Sequence, residues 1–541
     1  MKTLREQLSQ ARAFPNAERV SVEETHVSWV FLTEREAFKV KKPVDLGFLS
    51  YATLAKRKAA CESELVLNRR LSPDVYLGVE PVVEQGGTLF VGQREGEARV
   101  VDWAVRMRRL SDRDRADVLL EQGSLGPAEI DRLARHIATF HATAKNGPSV
   151  EALGAPTRIA FNVEENFAQT RTELTRFLRP EEAVEIVSWQ RRFLREHAHA
   201  FERRVREGHV RDGHGDLRLE HVYFERDGAA RSERRVAASL AEAEIRVLDC
   251  IEFDERFRYA DTAADLAFLA MDLEWRGRVD LAERLLATYA AESGDYGLYD
   301  VVDFYVAYRA FVRGKIAVLL ATDAGAPVAV RERAAVEARR YFMVALAADR
   351  QPTRPTSVTA VGGLVAAGKS TAAEAIAKKL CAPIVCADRT RKQMLGVPAL
   401  ARVSPGTFQG AYDPAFTREV YAEMLRRAEH VLGSRRPVIL DASFRSETMR
   451  AEARGLAKRA GVPFRFVECR APLATLRSRL DARDGVASVS DARAGILDEF
   501  AARFEAVTEL PPDEHVIVDT TRPLDETLGF LGATVDTCAA P

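Results

Sequence analysis

The stretch Ser357-Val358-Thr359-Ala360-Val361-Gly362-Gly363-Leu364-Val365-Ala366-Ala367-Gly368-Lys369-Ser370-Thr371 decides the fold of the last third of the chain. From Gly363 to Ser370 it has a glycine, four free positions, Gly-Lys and a serine, a pattern typical of loops that bind nucleotide phosphates. The β-rich apolar residues 357–361 precede this loop, and residues 371–380 have the pattern of a helix. Because the motif requires a strand, a loop and a helix in this order, the sequence predicts a nucleoside triphosphate site here.

The residue types of this loop match the charges of ATP and Mg²⁺, the two cofactors that we expect. The glycines let backbone N–H groups and the helix N-terminus face the phosphates. Lys369 would reach the β- and γ-phosphate oxygens, and the Ser370 hydroxyl would ligate Mg²⁺. The residues expected around the nucleotide are Gly363, Ala366, Ala367, Gly368, Lys369, Ser370 and Thr371.

The length and composition of the chain narrow the class of protein. A chain of 541 residues exceeds what one hydrophobic core usually supports, so we expect at least two domains. With 79 basic and 80 acidic side chains, the net charge of -1 disfavours nucleic acid as a partner without excluding it. The six cysteines lack metal-ligand spacing, and no signal peptide or bilayer-spanning run is evident. These features predict a cytoplasmic protein without a membrane partner, and they say nothing of its oligomeric state.

The chain divides at the polar segment 349–356, which contains two prolines. Residues 355–541 alternate apolar strands, at 437–441, 464–469 and 516–519, with amphipathic helices, which predicts an α/β domain with a parallel sheet between helices. Residues 1–350 predict a bilobal α+β domain. Its small lobe, about 1–110, has short strands around a helix near 52–70. Its helical lobe, about 111–350, includes helices at 298–322 and 328–348 and a solvated insertion at 226–235.

Two carboxylates follow strands of the C-terminal domain. Asp441 ends the strand 438–440, where it could hold Mg²⁺ or, alternatively, cap the next helix. Asp388 follows the apolar residues 383–387, so it would lie at the carboxyl end of a strand beside the phosphates. The alternative for this second site is a surface turn with solvated charges.

The sequence Asp388-Arg389-Thr390-Arg391 resembles the acceptor-side motif of phage polynucleotide kinase and of zeta-toxin-like kinases. The resemblance implies that Asp388 orients or deprotonates the acceptor hydroxyl and that Arg391 anchors the substrate. Four arginines follow the strand that ends at Cys469, where adenylate-kinase-like enzymes have a mobile lid that neutralises the transferring phosphoryl group. They are Arg470, Arg477, Arg479 and Arg483, of which we expect the last two at the nucleotide; the pattern does not single out a catalytic one.

The second informative motif is His214-Gly215-Asp216, which precedes the carboxylate-bearing strand 245–253 and Asp265. Together these resemble the aminoglycoside phosphotransferase and choline-kinase-like family. The resemblance implies that Asp216 accepts the proton of the substrate hydroxyl and that Asp249, or alternatively Glu252, binds the metal. His221 stands where the family has the asparagine that provides a second metal ligand, five residues after this base. Because a neutral imidazole can bind a divalent metal, His221 is the candidate second ligand here.

In the small lobe, Lys39 and Lys41 lie on one face of a predicted strand, and either could bind the α- and β-phosphates. Glu62 or Glu64, on the following helix, could hold that lysine through an ion pair. The alternative is a solvated basic edge. No Gly-x-Gly-x-x-Gly loop precedes these lysines, and the corresponding hairpin would be residues 25–29.

As a whole the chain resembles a bacterial fusion family described as bifunctional aminoglycoside-phosphotransferase-like and ATP-binding proteins. This resemblance covers nearly the whole chain and includes Thr25-His26, Lys41-Lys42-Pro43, residues 73–78, residues 253–259 and the phosphate loop. The resemblance does not imply a substrate. The motifs of the two halves together predict an ATP-dependent kinase with two nucleotide sites that phosphorylates a hydroxyl of a small molecule. The alternatives are a C-terminal kinase with a non-catalytic N-terminal module, a polynucleotide 5′-hydroxyl kinase, and an ATPase without an acceptor.

Overall fold

The computed structural model describes residues 3–45, 49–94, 96–226, 239–347, 355–403, 410–482, 489 and 496–529. The strands are β1 Ser21–Glu24, β2 Ser28–Leu32, β3 Glu36–Lys41, β4 Tyr76–Gln85, β5 Thr88–Val91, β6 Arg99–Arg108, β7 Val210–Asp212, β8 Val222–Glu225, β9 Glu244–Val247, β10 Tyr259–Asp261, β11 Val358–Gly363, β12 Ile384–Cys386, β13 Val438–Asp441, β14 Phe464–Arg470 and β15 His515–Asp519.

The helices of the first 350 residues are α1 Leu4–Leu8, α2 Leu54–Asn68, α3 Ala116–Glu121, α4 Pro127–Thr143, α5 Pro148–Glu151, α6 Pro156–Thr170, α7 Pro180–Glu196, α8 Ala198–Arg206, α9 Glu255–Arg258, α10 Thr262–Trp275, α11 Val279–Ser293, α12 Val302–Thr322 and α13 Val328–Ala347. Those that follow are α14 Lys369–Leu380, α15 Ala387–Met394, α16 Pro414–Gly433, α17 Glu447–Ala460, α18 Leu473–Ala482, α19 Leu497–Ala502 and α20 Leu524–Thr527.

The small lobe is an antiparallel sheet in the order β1-β2-β3-β6-β4-β5, with α2 packed against β4 and β6. Side chains of a strand alternate between its two faces. On β3, Phe38 and Val40 enter one apolar core with Phe31, whereas Ala37 enters a second core with Cys61 of α2. The alternation therefore directs Lys39 and Lys41 toward α2, as the sequence predicts.

Helices dominate the chain from about residue 116 to residue 347, interrupted by the short strand pairs β7–β10 and β8–β9. Helix α12 carries an almost continuous series of buried residues, and it packs along α13 and against α7. The helix expected at 298–322 begins at Val302, because residues Tyr296–Asp300 form a 3₁₀ turn. The predicted insertion 226–235 and linker 349–356 fall almost entirely outside the described residues.

The C-terminal sheet is parallel, in the order β12-β13-β11-β14-β15. Apolar residues of its strands, such as Val361, Ile439 and Val467, pack with Ile376 of α14 and Leu476 of α18. Helices α16 and α17 also contact the sheet. This arrangement confirms the predicted α/β class with a parallel sheet between helices.

The chain forms two compact units. The first contains residues 1–129, 139–159 and 202–269, and the second contains 130–138, 160–201 and 270–541. Helices α11, α12 and α13 therefore belong to the same unit as the C-terminal sheet. Within the described part of the chain, no helix has both the length and the hydrophobicity needed to cross a membrane.

Candidate functional site

The phosphate-loop motif connects β11 to α14 at the carboxyl edge of the parallel sheet. Gly363 has a φ of 135°, and a Cβ atom there would overlap the carbonyl oxygen of Cys469. Gly368 has a φ of 79° immediately before α14 begins at Lys369. The ammonium group of Lys369 donates a hydrogen bond to the carbonyl oxygen of Leu364 at 2.8 Å, so its side chain folds back over the loop.

Ser370 and Asp441 come together beside this loop. The Ser370 hydroxyl donates to Oδ2 of Asp441 at 2.8 Å, and Asp441 is opposite Val361 in the β11–β13 pairing. Burial raises the pKa of Asp441 against the opposing charge of Lys369 and the hydrogen bond from Ser370. Asp441 does not cap the next helix, because Ser446 occupies that position. The hydroxyl oxygen of Ser370 and the carboxylate oxygen of Asp441, 2.8 Å apart, are of the kind that ligates Mg²⁺.

Asp388 lies in the first turn of α15, directly after β12. Because Cys386 of β12 is opposite Asp441 of β13, both carboxylates are at the same edge of the sheet. The charge of Asp388 is one of the influences that raise the pKa of Asp441, after burial. The hydroxyl of Tyr412 donates to Oδ1 of Asp388 at 3.2 Å. The residue is thus a half-buried helix residue rather than part of a surface turn.

Arg391, one helical turn beyond Asp388, is only 3% exposed. Its guanidinium carbon lies 4.3 Å from the ring centre of Tyr412, and Nη1 donates to the carbonyl oxygen of Ala411 and to the Thr417 hydroxyl. Within the described residues, no carboxylate lies within 4.0 Å of Arg391, and its Nε atom is buried without a hydrogen-bond partner. A buried guanidinium without a carboxylate is costly to hold in place.

The arginines at the end of β14 and in α18 have different neighbours. Arg479 donates to the carbonyl oxygen of Thr520 at 2.6 Å and to that of Ala366, in the phosphate loop, at 3.3 Å. Arg470 pairs with Glu468, and Arg477 pairs with Asp498. The predicted site residue Arg483 lies outside the described residues. Thr520 was missed by the sequence analysis, although its position directly after β15 marks it as a residue of the same sheet edge.

In the small lobe, Lys39, Lys41 and Glu64 meet, as the sequence predicts for a lysine held by an α2 glutamate. Glu64 lies 3.0 Å from Lys39 and also contacts Lys41, whereas Glu62 is exposed and pairs with Lys58. Lys39 contacts Asp249, and Lys41 contacts Glu252. Although burial disfavours its charge, Asp249 and Glu64 raise the pKa of Lys39 above its ordinary value.

The two alternative metal ligands have different surroundings. Glu252 is nearly buried, contacts Lys41 and accepts a hydrogen bond from the Tyr51 hydroxyl at 2.6 Å. The side chain of Asp249 is 46% exposed, and its backbone has a φ of 65°. Asp249 therefore offers the more accessible carboxylate.

Asp216 and His221 lie next to each other. The Nδ1 atom of His221 is 2.8 Å from the carbonyl oxygen of Asp216, and its Nε2 atom is 3.8 Å from Oδ2 of Asp249. Arg218 donates to both carboxylate oxygens of Asp216 at 2.9 Å. Arg218 is not part of the sequence motif and was not predicted, although it stands only two residues after the predicted base.

Asp265 holds the backbone of this motif in place. Its carboxylate accepts hydrogen bonds from the amides of His214 at 2.6 Å and Gly215 at 2.8 Å. Burial opposes ionisation of Asp265, but the neighbouring His141 and His214 hold its pKa below the usual range. Burial lowers the pKa of His214 to about 4, so its ring is neutral near pH 7.

The chain is similar in sequence to known proteins. Residues 358–507 match a family model described as an AAA domain. The uncharacterized protein Rv2004c of Mycobacterium tuberculosis is 32% identical over 511 residues, which cover 94% of each chain. The similarity therefore extends over both halves of the sequence.

Two solved structures are similar to parts of the chain. A gluconokinase from Sinorhizobium meliloti is 23% identical and covers 34% of this chain and 95% of its own, with a TM-score of 0.25. A choline/ethanolamine kinase family protein from Mesorhizobium loti is 12% identical and covers 64% of this chain and 98% of its own, with a TM-score of 0.35.

Proposed function

Because this chain belongs to a bacterial family in which an aminoglycoside-phosphotransferase-like domain precedes a P-loop kinase domain, we propose that it is an ATP-dependent kinase. The C-terminal domain transfers the γ-phosphoryl group of ATP to a hydroxyl group of a small molecule. One observation carries this proposal: the phosphate loop, the Ser370–Asp441 pair and Asp388 lie at the same edge of one parallel sheet. Ligands bind at the carboxyl ends of strands in such sheets.

The groups at this edge suit the charges of the reaction. Lys369 is bound to a loop carbonyl and can turn from it to the β- and γ-phosphates. The contact of Arg479 with the loop carbonyl of Ala366 supports a role for this arginine beside the phosphates. Phosphoryl transfer depends mainly on positioning and on neutralisation of charge, and these side chains supply both.

Ser370 and Asp441 would hold Mg²⁺, either directly or through water. When bound, this ion neutralises charge on the phosphates. Asp441 accepts a hydrogen bond from Ser370 and lies near Lys369, so its carboxylate is already oriented toward the loop.

Asp388 would orient or deprotonate the acceptor hydroxyl, and Arg391 would bind another part of the acceptor. Among the described residues, Arg391 has no carboxylate neighbour, and its guanidinium is buried. Such a group favours an anionic ligand, because charged hydrogen bonds to an anion offset its loss of hydration. We therefore expect an acceptor that carries a carboxylate, phosphate or sulfate group in addition to the hydroxyl. Arg391→Gln should raise the KM for such an acceptor more than it raises the KM for ATP.

The test is ADP formation by the full chain with neutral and anionic hydroxyl compounds and with a 5′-hydroxyl oligonucleotide. Lys369→Ala and Asp388→Asn should each lower the acceptor-dependent rate by about 100-fold or more, the size expected for loss of one charge-stabilising or proton-accepting group. Lys378→Ala removes an exposed lysine from α14, the helix that begins at Lys369, and should leave the rate unchanged. Phosphorylation of the oligonucleotide alone would replace the small-molecule proposal, and equally fast hydrolysis without any acceptor would indicate an ATPase.

For the N-terminal domain we propose a second nucleotide site, formed by Lys39, Lys41 and Glu64, with Asp249 on the metal side and Asp216 as the base. A different observation favours a non-catalytic binding module: Arg218 occupies both oxygens of Asp216, and Lys39 contacts Asp249. The variant Asp216→Ala separates the two. If Asp216→Ala abolishes an acceptor-dependent activity that Lys369→Ala retains, the N-terminal domain is a second kinase. If Asp216→Ala changes the activity with no acceptor, the N-terminal domain is a binding module.

A further inference from the structure

Helix α15 carries the acceptor-side residues on one part of its surface and is bound through another. Asp388 and Arg391 are three residues apart, so they lie one above the other on the helix, and Arg389 and Gln393, which are four residues apart, form a second pair of neighbours. Successive residues differ by about 100° around a helix, which places the second pair on a different face. The contacts of Arg389 and Gln393 therefore hold a face of α15 other than the one that carries Asp388.

One neighbour of this second pair is Arg427 of α16, which donates to Oε1 of Gln393. The others belong to the end of α11, about 100 residues earlier in the chain. The side-chain amide of Gln393 donates to the carbonyl oxygen of Ala291 at 3.0 Å. The guanidinium of Arg389 donates to Oε2 of Glu292 at 3.1 Å. Gly294 ends α11 with a φ of 79°, and a Cβ atom there would lie 3.2 Å from the Gln393 side chain, so the chain approaches α15 closely.

The same segment also binds the strand that leads into α15. β12 is an edge strand of the sheet, with carbonyl groups that the sheet itself does not satisfy. The Tyr296 hydroxyl donates to the carbonyl oxygen of Ile384 in β12 at 2.6 Å, and the tyrosine is 2% exposed. Arg427 of α16 stacks on the Tyr296 ring at 5.5 Å and donates to the Thr390 hydroxyl of α15 at 3.3 Å.

Residues 291–296 lie outside the segment 358–507 that matches the AAA domain, yet they belong to the same compact unit as the sheet. We propose that Glu292 and Tyr296 are positioning residues of the C-terminal kinase, which hold β12 and α15 so that Asp388 faces the acceptor. This inference rests on the proposed function, because Asp388 has an acceptor only if the domain is a kinase. Phosphoryl transfer is sensitive to displacements of about 1 Å, which can cost about 100-fold in rate.

The first test separates positioning from general stability. Tyr296→Phe removes one hydroxyl while keeping the ring, and Glu292→Arg replaces an attraction to Arg389 by a repulsion. Each should lower kcat/KM for the acceptor by about 10-fold, a fraction of the effect of a 1 Å displacement, and leave the KM for ATP unchanged. Arg389→Glu combined with Glu292→Arg restores the ion pair and should recover most of the loss. Glu332→Gln, which changes an exposed glutamate of α13, is the control and should have wild-type kinetics.

A second measurement does not depend on activity. Amide hydrogen exchange of the full chain should become faster in residues 387–394 of Tyr296→Phe and Glu292→Arg, while residues 369–380 of α14 keep their wild-type rates. Wild-type exchange in α15, or a loss of ATP and acceptor affinity in equal proportion, would overturn the positioning role. If wild-type protein lacks any acceptor-dependent activity sensitive to Lys369→Ala, the proposed function fails, and the exchange experiment still decides whether residues 291–296 hold α15.

Discussion

At the scale of single residues, the phosphate loop depends on Gly363 for a backbone that other residues do not adopt easily. Gly363 has a φ of 135°, and the carbonyl oxygen of Cys469 lies where a Cβ atom would be. Any other residue at this position would therefore suffer both backbone strain and a steric overlap. Gly363→Ala should therefore lower the free energy of unfolding by about 1–3 kcal/mol and weaken nucleotide binding. Urea unfolding and titration with a fluorescent ATP analogue measure the two effects.

A matched control exists in α17. A Cβ atom at Gly455 would meet only the end of the Arg459 side chain, at 3.7 Å, within a regular helix. Gly455→Ala should stabilise the protein by up to about 1 kcal/mol, because alanine has the higher helix propensity. If both substitutions have the same small effect, the close approach of Cys469 does not constrain the loop.

At the scale of elements, a cluster of carboxylates joins α10, α11 and α12 to the start of β13. Arg436 lies 2.8 Å from Glu283 and 2.8 Å from Asp303. The charges of both carboxylates also act on Glu274 of α10. Burial, with the charges of Glu283 and Asp303, raises the pKa of Glu274 to about 8 against the opposing charge of Arg436. The folded protein thus keeps a proton on Glu274 that the unfolded chain loses near its ordinary pKa of 4.5.

The sign of the pH effect follows from this difference. A raised carboxyl pKa means that the folded state binds more protons between about pH 4.5 and 8, so the free energy of unfolding falls as the pH rises through this range. Glu274→Gln should remove that component and raise the melting temperature at pH 8 by a few degrees relative to the wild type, the change that about 1 kcal/mol produces. Melting curves from pH 6 to pH 9 measure this, with Glu332→Gln as an exposed control. A difference between Glu274→Gln and the wild type that stays constant with pH would contradict the assignment.

At the scale of the whole molecule, the two candidate nucleotide sites use separate sets of charges. One has Lys369, Ser370 and Asp441, and the other has Lys39, Lys41, Glu64 and Asp249. Equilibrium dialysis should therefore detect two ATP molecules per chain in the wild type and one in Lys369→Ala. Lys39→Ala should bind ATP only at the C-terminal site, and Lys378→Ala should still bind two ATP molecules. If the wild type binds only one ATP molecule per chain and Lys369→Ala binds none, the N-terminal domain does not bind ATP.

Much of the architecture could be predicted because its signals are local. The apolar run before Gly363, the helical pattern after Ser370 and the strands predicted at 437–441 and 464–469 each reflect the periodicity of one element. Local signals do not distinguish between two candidate residues of the same type that are close together in the sequence. Only the packing of α2 distinguishes Glu64 from Glu62, since both are on the same helix with similar spacing.

The sequence by itself determined the classes of both domains, the nucleotide loop and the pair of lysines on β3, because these depend on residue type and on spacing within one or two elements. Tertiary structure alone decided which carboxylate each lysine meets, since Lys39 and Asp249 are 210 residues apart. It also decided that Arg218 holds Asp216 and that residues near the end of α11 bind α15. Such contacts depend on how distant elements pack and on where each side chain finds a partner, and no periodicity within a single segment encodes them.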